Sequence, residues 1–198
     1  SRAINQLSGA RMFLFGARDV WFVVALPVFL AEVLGWDFWQ VGGFLAAWVI
    51  AYGFVQALAP YFTGRRRGFV PDGRAAFGWA AVLAMVPAVM GMLLFYGIAP
   101  QWVLLVGLGV FGVLFAINSS LHSYLIVSYA DADGVSLDVG FYYMANALGR
   151  LLGTVLSGGV YQTAGLAACL AISAALVALA AITSIGLSKN YPTIDPRS

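Results

Sequence analysis

Charge is scarce in this chain. Only 9% of its 198 residues are Asp, Glu, Lys or Arg, against about 25% in soluble domains. With 62% hydrophobic residues and a mean hydropathy of +0.91, too little polar surface exists to face water, which excludes an ordinary soluble domain. Cysteine occurs once, at Cys169 in an apolar run, which excludes an internal disulfide and a cysteine-built metal site. Histidine also occurs once, at His122, and lysine once, at Lys189. The aspartates Asp131 and Asp133 lie in a loop at the membrane edge, so no Ser–His, two-Asp or HExxH set for intramembrane hydrolysis is offered. No catalysis, cofactor, metal or nucleic-acid partner is expected.

Long apolar runs are what remain, and a bilayer takes roughly 20 residues per helix. The turn and polar stretches "GWDF", "TGRRRGFVPDGR", "GIAPQ", "SYADADGVS" and "TAG" divide the chain into six expected spans, 8–34, 38–62, 75–97, 101–129, 137–162 and 165–187, with 188–198 as a tail. No n-region or cleavage site precedes the first span, and a chain opening on Ser1 reads as part of a longer protein. Basic residues set the orientation. Arg2, Arg11, Arg65, Arg66, Arg67, Arg74, Lys189 and Arg197 fall on one side, whereas the opposite loops hold Glu32 and Asp37. Both termini, and the tail, are therefore expected in the cytoplasm.

The spans differ in polarity. The third and sixth hold nothing more polar than Ser, Thr and Cys169. The first carries Arg18 and Asp19, the second Gln56, the fourth Asn118, Ser119 and His122, and the fifth Asn146 and Arg150. Two successive three-helix units, each closed by a plain helix, is the pattern of inverted repeats within one half of a major facilitator transporter. An all-α membrane protein forming one such half is the expected fold, with the lipid bilayer and an N-terminal six-helix half as partners.

Buried charge needs a reason. An ionised side chain at the bilayer centre costs several kcal/mol and faces a bundle interior or wet cavity, paired with another group. At ~1.5 Å per residue, Arg18, Asp19, Asn118 and Arg150 all lie roughly 15–20 Å from the cytoplasmic end, in one layer. On the fifth span Tyr143, Asn146, Arg150 and Thr154 form a polar stripe, and Ala145, Gly149, Gly153 and Ser157 a small-residue stripe suited to close helix contact. Arg18, Gln56, Asn118, His122, Asn146 and Arg150 are the candidate substrate contacts. Arg150 serves either substrate or an ion pair with Asp19, and Asp19 serves either as counter-charge or as proton carrier. His122 is either titratable near neutrality or a neutral hydrogen-bonded ring. Arg11 is a snorkelling end residue or, with Arg65, Arg66 and Arg67, part of a cytoplasmic gate facing Asp131 and Asp133.

Two strings carry a resemblance. "GARMFLFGARDVWFVVALPVFL" in the first span and "NSSLHSYLIVSYADADGVSLDVGFYYMANALGRLLGTVLSGGVYQ" across the fourth and fifth resemble the second half of the ArsJ-type organoarsenical efflux permeases of the major facilitator superfamily. The loop "TGRRRG" lacks the acidic–basic pair of that superfamily's usual gating motif. The resemblance implies export of 1-arseno-3-phosphoglycerate across a bacterial inner membrane, a functional link to an arsenate-using glyceraldehyde-3-phosphate dehydrogenase, and arsenate resistance. The residues agree in one respect: the cations within the spans are all arginine, whose planar fork suits bidentate phosphate-like groups. Moving an anion out of a negative interior is also downhill by about 2.3 kcal/mol per charge per 100 mV, which needs no proton. A major facilitator transporter for another organic or phosphorylated anion is the alternative, and a non-transporting membrane protein the remoter one.

Overall fold

The computed structural model describes residues 2–62, 72–130 and 135–189. Among them the chain is all helix and short connections: α1 (Arg2–Phe22), α2 (Ala25–Glu32), α3 (Phe38–Phe62), α4 (Gly73–Phe95), α5 (Pro100–Tyr129) and α6 (Val135–Ile185), then a 3₁₀ turn over Gly186–Lys189. Five runs are long and apolar enough to cross a membrane: Arg2–Glu32, Phe38–Ala59, Gly73–Phe95, Pro100–Tyr129 and Val135–Ile185. This is the architecture of a multi-pass helical membrane protein.

Two breaks shape the bundle. The first falls between α1 and α2, within what the sequence reads as the single span 8–34; helix also begins earlier, at Arg2. Pro27 explains the break, because it has no N–H to give and its ring clashes with the carbonyl four residues back, at Val23. The Ala25 N–H, released from helix pairing, donates to Ser157 Oγ at 3.0 Å, which satisfies a polar group that lipid would leave bare.

The second break lies at Gly165, in the expected "TAG" punctuation, where φ 74° and ψ −177° interrupt α6. Such a backbone is open to glycine and strained for other residues. Cys169 Sγ lies 3.9 Å from the Ser157 carbonyl oxygen, whereas 12 residues of unbroken helix would span about 18 Å. The segments 135–164 and 166–185 therefore lie side by side.

α1 fits between them. Its Ala17 carbonyl accepts from Ser173 Oγ at 2.6 Å on the second segment, and its glycine face meets the small-residue stripe of the first. A Cβ added at Gly153 would stand 2.6 Å from the Gly16 carbonyl oxygen, and one at Gly149 would collide with the Met12 carbonyl. Backbone thus touches backbone, as small-residue faces allow in lipid. α4 closes against the second segment, where a Cβ at Gly91 would stand 3.2 Å from the Ala167 oxygen.

α3 is the outlier. It is tied to α5 by Trp48 Nε1 donating to the Leu108 oxygen at 2.9 Å, yet Val49, Ile50, Phe54 and Leu58 stay exposed along it. On α6, Met144, Leu148, Leu151 and Val155 are exposed as well. Apolar surface of this extent marks contact with lipid or with another protein surface.

Candidate functional site

Asp19 organises the polar centre. Its neighbour Arg18 turns back so that Nε donates to Oδ1 at 2.6 Å, and Arg150 Nε, from α6, donates to Oδ2 at 3.1 Å. The small-residue stripe makes the second bond possible, since Gly153 lets Asp19 approach: a Cβ there would stand 3.0 Å from the Asp19 Cβ. The carboxylate is 1% exposed, Arg18 14% and Arg150 56%. Burial thus falls stepwise from carboxylate to outer cation.

Each arginine spends only its Nε on Asp19. Among the described residues the Nη groups of Arg18 and Arg150 make no hydrogen bond. Two cations against one anion leave one positive charge, and the free forks are the donor geometry that grips carboxylate, phosphate or arsenate oxygens in pairs. Aromatic rings wall the site. The Arg18 guanidinium carbon lies 4.9 Å from the Phe15 ring centre and 5.4 Å from that of Phe115. From Phe115 the rings continue through Tyr52 and Trp48 to Phe22, at centroid spacings of 6.0, 5.5 and 4.5 Å. Cation–π contact of this kind is worth about 0.5–2 kcal/mol and holds Arg18 while its Nη atoms stay open.

The other expected contacts are distributed differently. Asn146, one turn before Arg150, is half-buried with its Oδ1 unpartnered, so it borders the triad. Gln56 is half-buried on α3, one turn beyond Tyr52, and among the described residues no hydrogen bond joins it to the triad. Asn118 turns to a different neighbour from Arg18 and Arg150. It is fully buried and faces α4, its Nδ2 donating to the Trp79 oxygen at 3.0 Å and the Leu114 oxygen at 2.9 Å. The register of α5 explains this: Phe115 and Ser119, either side of it, turn toward α1, which leaves Asn118 on the face that meets α4.

Arg11 does not fit the snorkelling one of its two expected readings. A snorkelling end residue reaches water, but Arg11 is 5% exposed. Its Nη1 donates to both the carbonyl and the Oγ of Ser119 at 3.1 Å, and its guanidinium lies 4.0 Å from the Phe15 ring centre and 5.0 Å from that of Tyr142. Helix begins at Arg2 rather than near residue 8, so a full extra turn and more of α1 covers this position. His122, one turn beyond Ser119, is fully buried and neither ring nitrogen has a hydrogen-bond partner. Arg65, Arg66 and Arg67, with Asp131 and Asp133, lie outside the described residues.

Phe15 and Phe115 were missed by sequence reasoning, which gives apolar residues to packing. The available signal was spacing: Phe15 stands four residues after Arg11 and three before Arg18, on one face of α1. No family model, curated protein or solved structure matches the chain.

Proposed function

We propose that this chain is one six-helix half of a major facilitator transporter in a bacterial inner membrane, and that it exports a phosphorylated or arsenylated organic anion. The reversal at Gly165 supports the helix count, since a run that doubles back crosses the membrane twice and five apolar runs then make six crossings. Two triplets follow, each led by a polar helix, which fits nested inverted repeats. The observation that carries the functional reading is the Arg18–Asp19–Arg150 triad, with two open guanidinium forks beside a buried carboxylate. The resemblance to ArsJ-type permeases narrows the anion to 1-arseno-3-phosphoglycerate and makes an arsenate-using glyceraldehyde-3-phosphate dehydrogenase its supplier.

Orientation is tested with reporters. Because basic residues crowd one side, a fusion after Ser188 reports the cytoplasm and an insertion at Gly35 the outside; the reverse pattern sinks the span order. Activity is tested in an arsenate-sensitive host. The full-length protein together with the dehydrogenase restores growth on arsenate, and neither does so alone. Rescue by residues 1–198 without further helices overturns the half-transporter reading. Export of a different phosphorylated anion from everted vesicles, with no arsenate rescue, replaces the substrate and keeps the class.

A further inference from the structure

Arg11 is a cation buried without a counter-charge. Among the described residues no carboxylate lies within ion-pair distance of it; the two salt bridges present are both made by Asp19. What surrounds the guanidinium is neutral: two oxygens of Ser119 and the rings of Phe15 and Tyr142. A charge so enclosed is costly unless an opposite charge joins it.

The polar groups around it are themselves unfinished. Arg11 Nε, Ser8 Oγ and both nitrogens of His122 are buried without a hydrogen-bond partner, while the Tyr142 hydroxyl lies within hydrogen-bonding range of Ser123 and Arg11. Ser8 lies one helical turn before Arg11 on α1, and on α5 His122 lies one turn beyond Ser119, to which Arg11 donates. Buried polar atoms in native proteins are nearly always satisfied, so several on neighbouring turns point to a polar ligand. Arg11 Nε, Ser8 Oγ and one nitrogen of the neutral His122 ring each have an N–H or O–H to offer. Unpartnered donors on the turns next to a buried positive charge, with no acid among them, suit an anion.

We propose that Arg11, Ser8, His122 and Tyr142 form a second oxyanion site, one step to the cytoplasmic side of the Arg18–Asp19–Arg150 triad. The two sites share a wall. The Phe15 ring centre is 4.0 Å from the Arg11 guanidinium and 4.9 Å from that of Arg18, and seven residues of α1 separate the two arginines by about 10 Å along the axis. A phosphate or arsenate group entering from the cytoplasm meets Arg11 first and passes Phe15 to reach the open forks. For its purpose the assignment rests on the reading of the chain as an anion exporter; for its chemistry it rests on the unpaired charge and the unpartnered donors.

The test is binding, with inorganic phosphate as probe, on the full-length protein in lipid nanodiscs at constant ionic strength. Phosphate raises the unfolding temperature of the wild type, and chloride at the same concentration does not. Arg11→Met unfolds at a higher temperature than wild type without phosphate, because an unpaired buried charge is gone, and needs about tenfold or more phosphate for the same rise. Arg18→Met keeps the Arg11-dependent part of the response. His122→Leu, which leaves the charge in place, weakens the response severalfold and covers the case in which Arg11→Met does not fold. A wild type indifferent to phosphate overturns the proposal, as does an equal rise with chloride or an unchanged response in either variant. Export is measured on the same proteins. If export fails while the Arg11-dependent response persists, the transport reading falls alone; if export stands and Arg11 has no part in binding, this site falls alone.

Discussion

Asp19→Ala is expected to empty the membrane of this protein, whereas Arg150→Ala leaves its amount unchanged and stops export. The two residues are bonded to each other, so the difference comes from what each leaves behind. Removing Asp19 leaves Arg18, 14% exposed, and Arg150 without their shared anion. Breaking a buried pair from one side costs about 3–5 kcal/mol, a large part of the roughly 5–15 kcal/mol that holds a folded protein together. Removing Arg150 leaves Asp19 still bonded to Arg18 at 2.6 Å. Arg150 is 56% exposed, and pairs of that kind contribute about 0–1 kcal/mol. Arg150→Lys is expected to fail in export too, because lysine keeps the charge but lacks the fork. Quantitative blots of membranes and export from everted vesicles, on each variant, decide the matter. If Arg150→Ala depletes the protein as far as Asp19→Ala does, Arg150 is structural; if it exports normally, it does not touch substrate.

Gly149→Ala is expected to cost more than any other single methyl added to α6. That methyl would run into the Met12 carbonyl, which is backbone and has no rotamer to escape by. α1 has to back away, and the Asp19–Arg150 bond stretches with it. Overpacking of this kind costs about 1–3 kcal/mol, occasionally more. The same change at Gly159, with nothing within 4 Å of the added carbon, is neutral or favourable, since alanine is the better helix former by about 1 kcal/mol. Thermal unfolding of both variants in one detergent gives opposite signs; equal signs would show that the seam between α1 and α6 is looser than described.

The seam was legible in advance because it is periodic. Gly149, Gly153 and Ser157 recur every four residues, and a stripe of small residues lets a membrane helix pack closely against another. Counting depth puts Arg150 level with Asp19 and leaves both substrate contact and an ion pair open; the structure shows the pair. Depth fixes how far along a helix a residue lies and says nothing of which neighbour it faces, which for Asn118 is α4. Of the two readings of Arg11, the snorkelling one takes a cation near the start of an apolar run for a terminal residue, whereas helix begins at Arg2 and Arg11 is buried. The break after Phe22 was signalled by Pro27, but a proline in a membrane helix is compatible with a kink, a break or neither. Ser157, 132 residues away from Ala25, decided which.

Where α1 meets the segment 135–164, no side chains lie between Gly16 and Gly153 or between Met12 and Gly149 to slide or repack. With backbone against backbone along that line the two helices form one strut, and the Arg–Asp–Arg triad is held across it. Bending is left to the ends of the strut. On one helix that is the interruption at Val23 and Val24, latched by Ser157; on the other it is the turn at Gly165. A cleft of about 640 Å³ lies between these two joints, lined by Val24, Phe29, Glu32, Tyr161 and Gly165. Its walls flank both pivots, so a rocking of α2 against the strut changes the width of that mouth while the charges behind it keep their spacing.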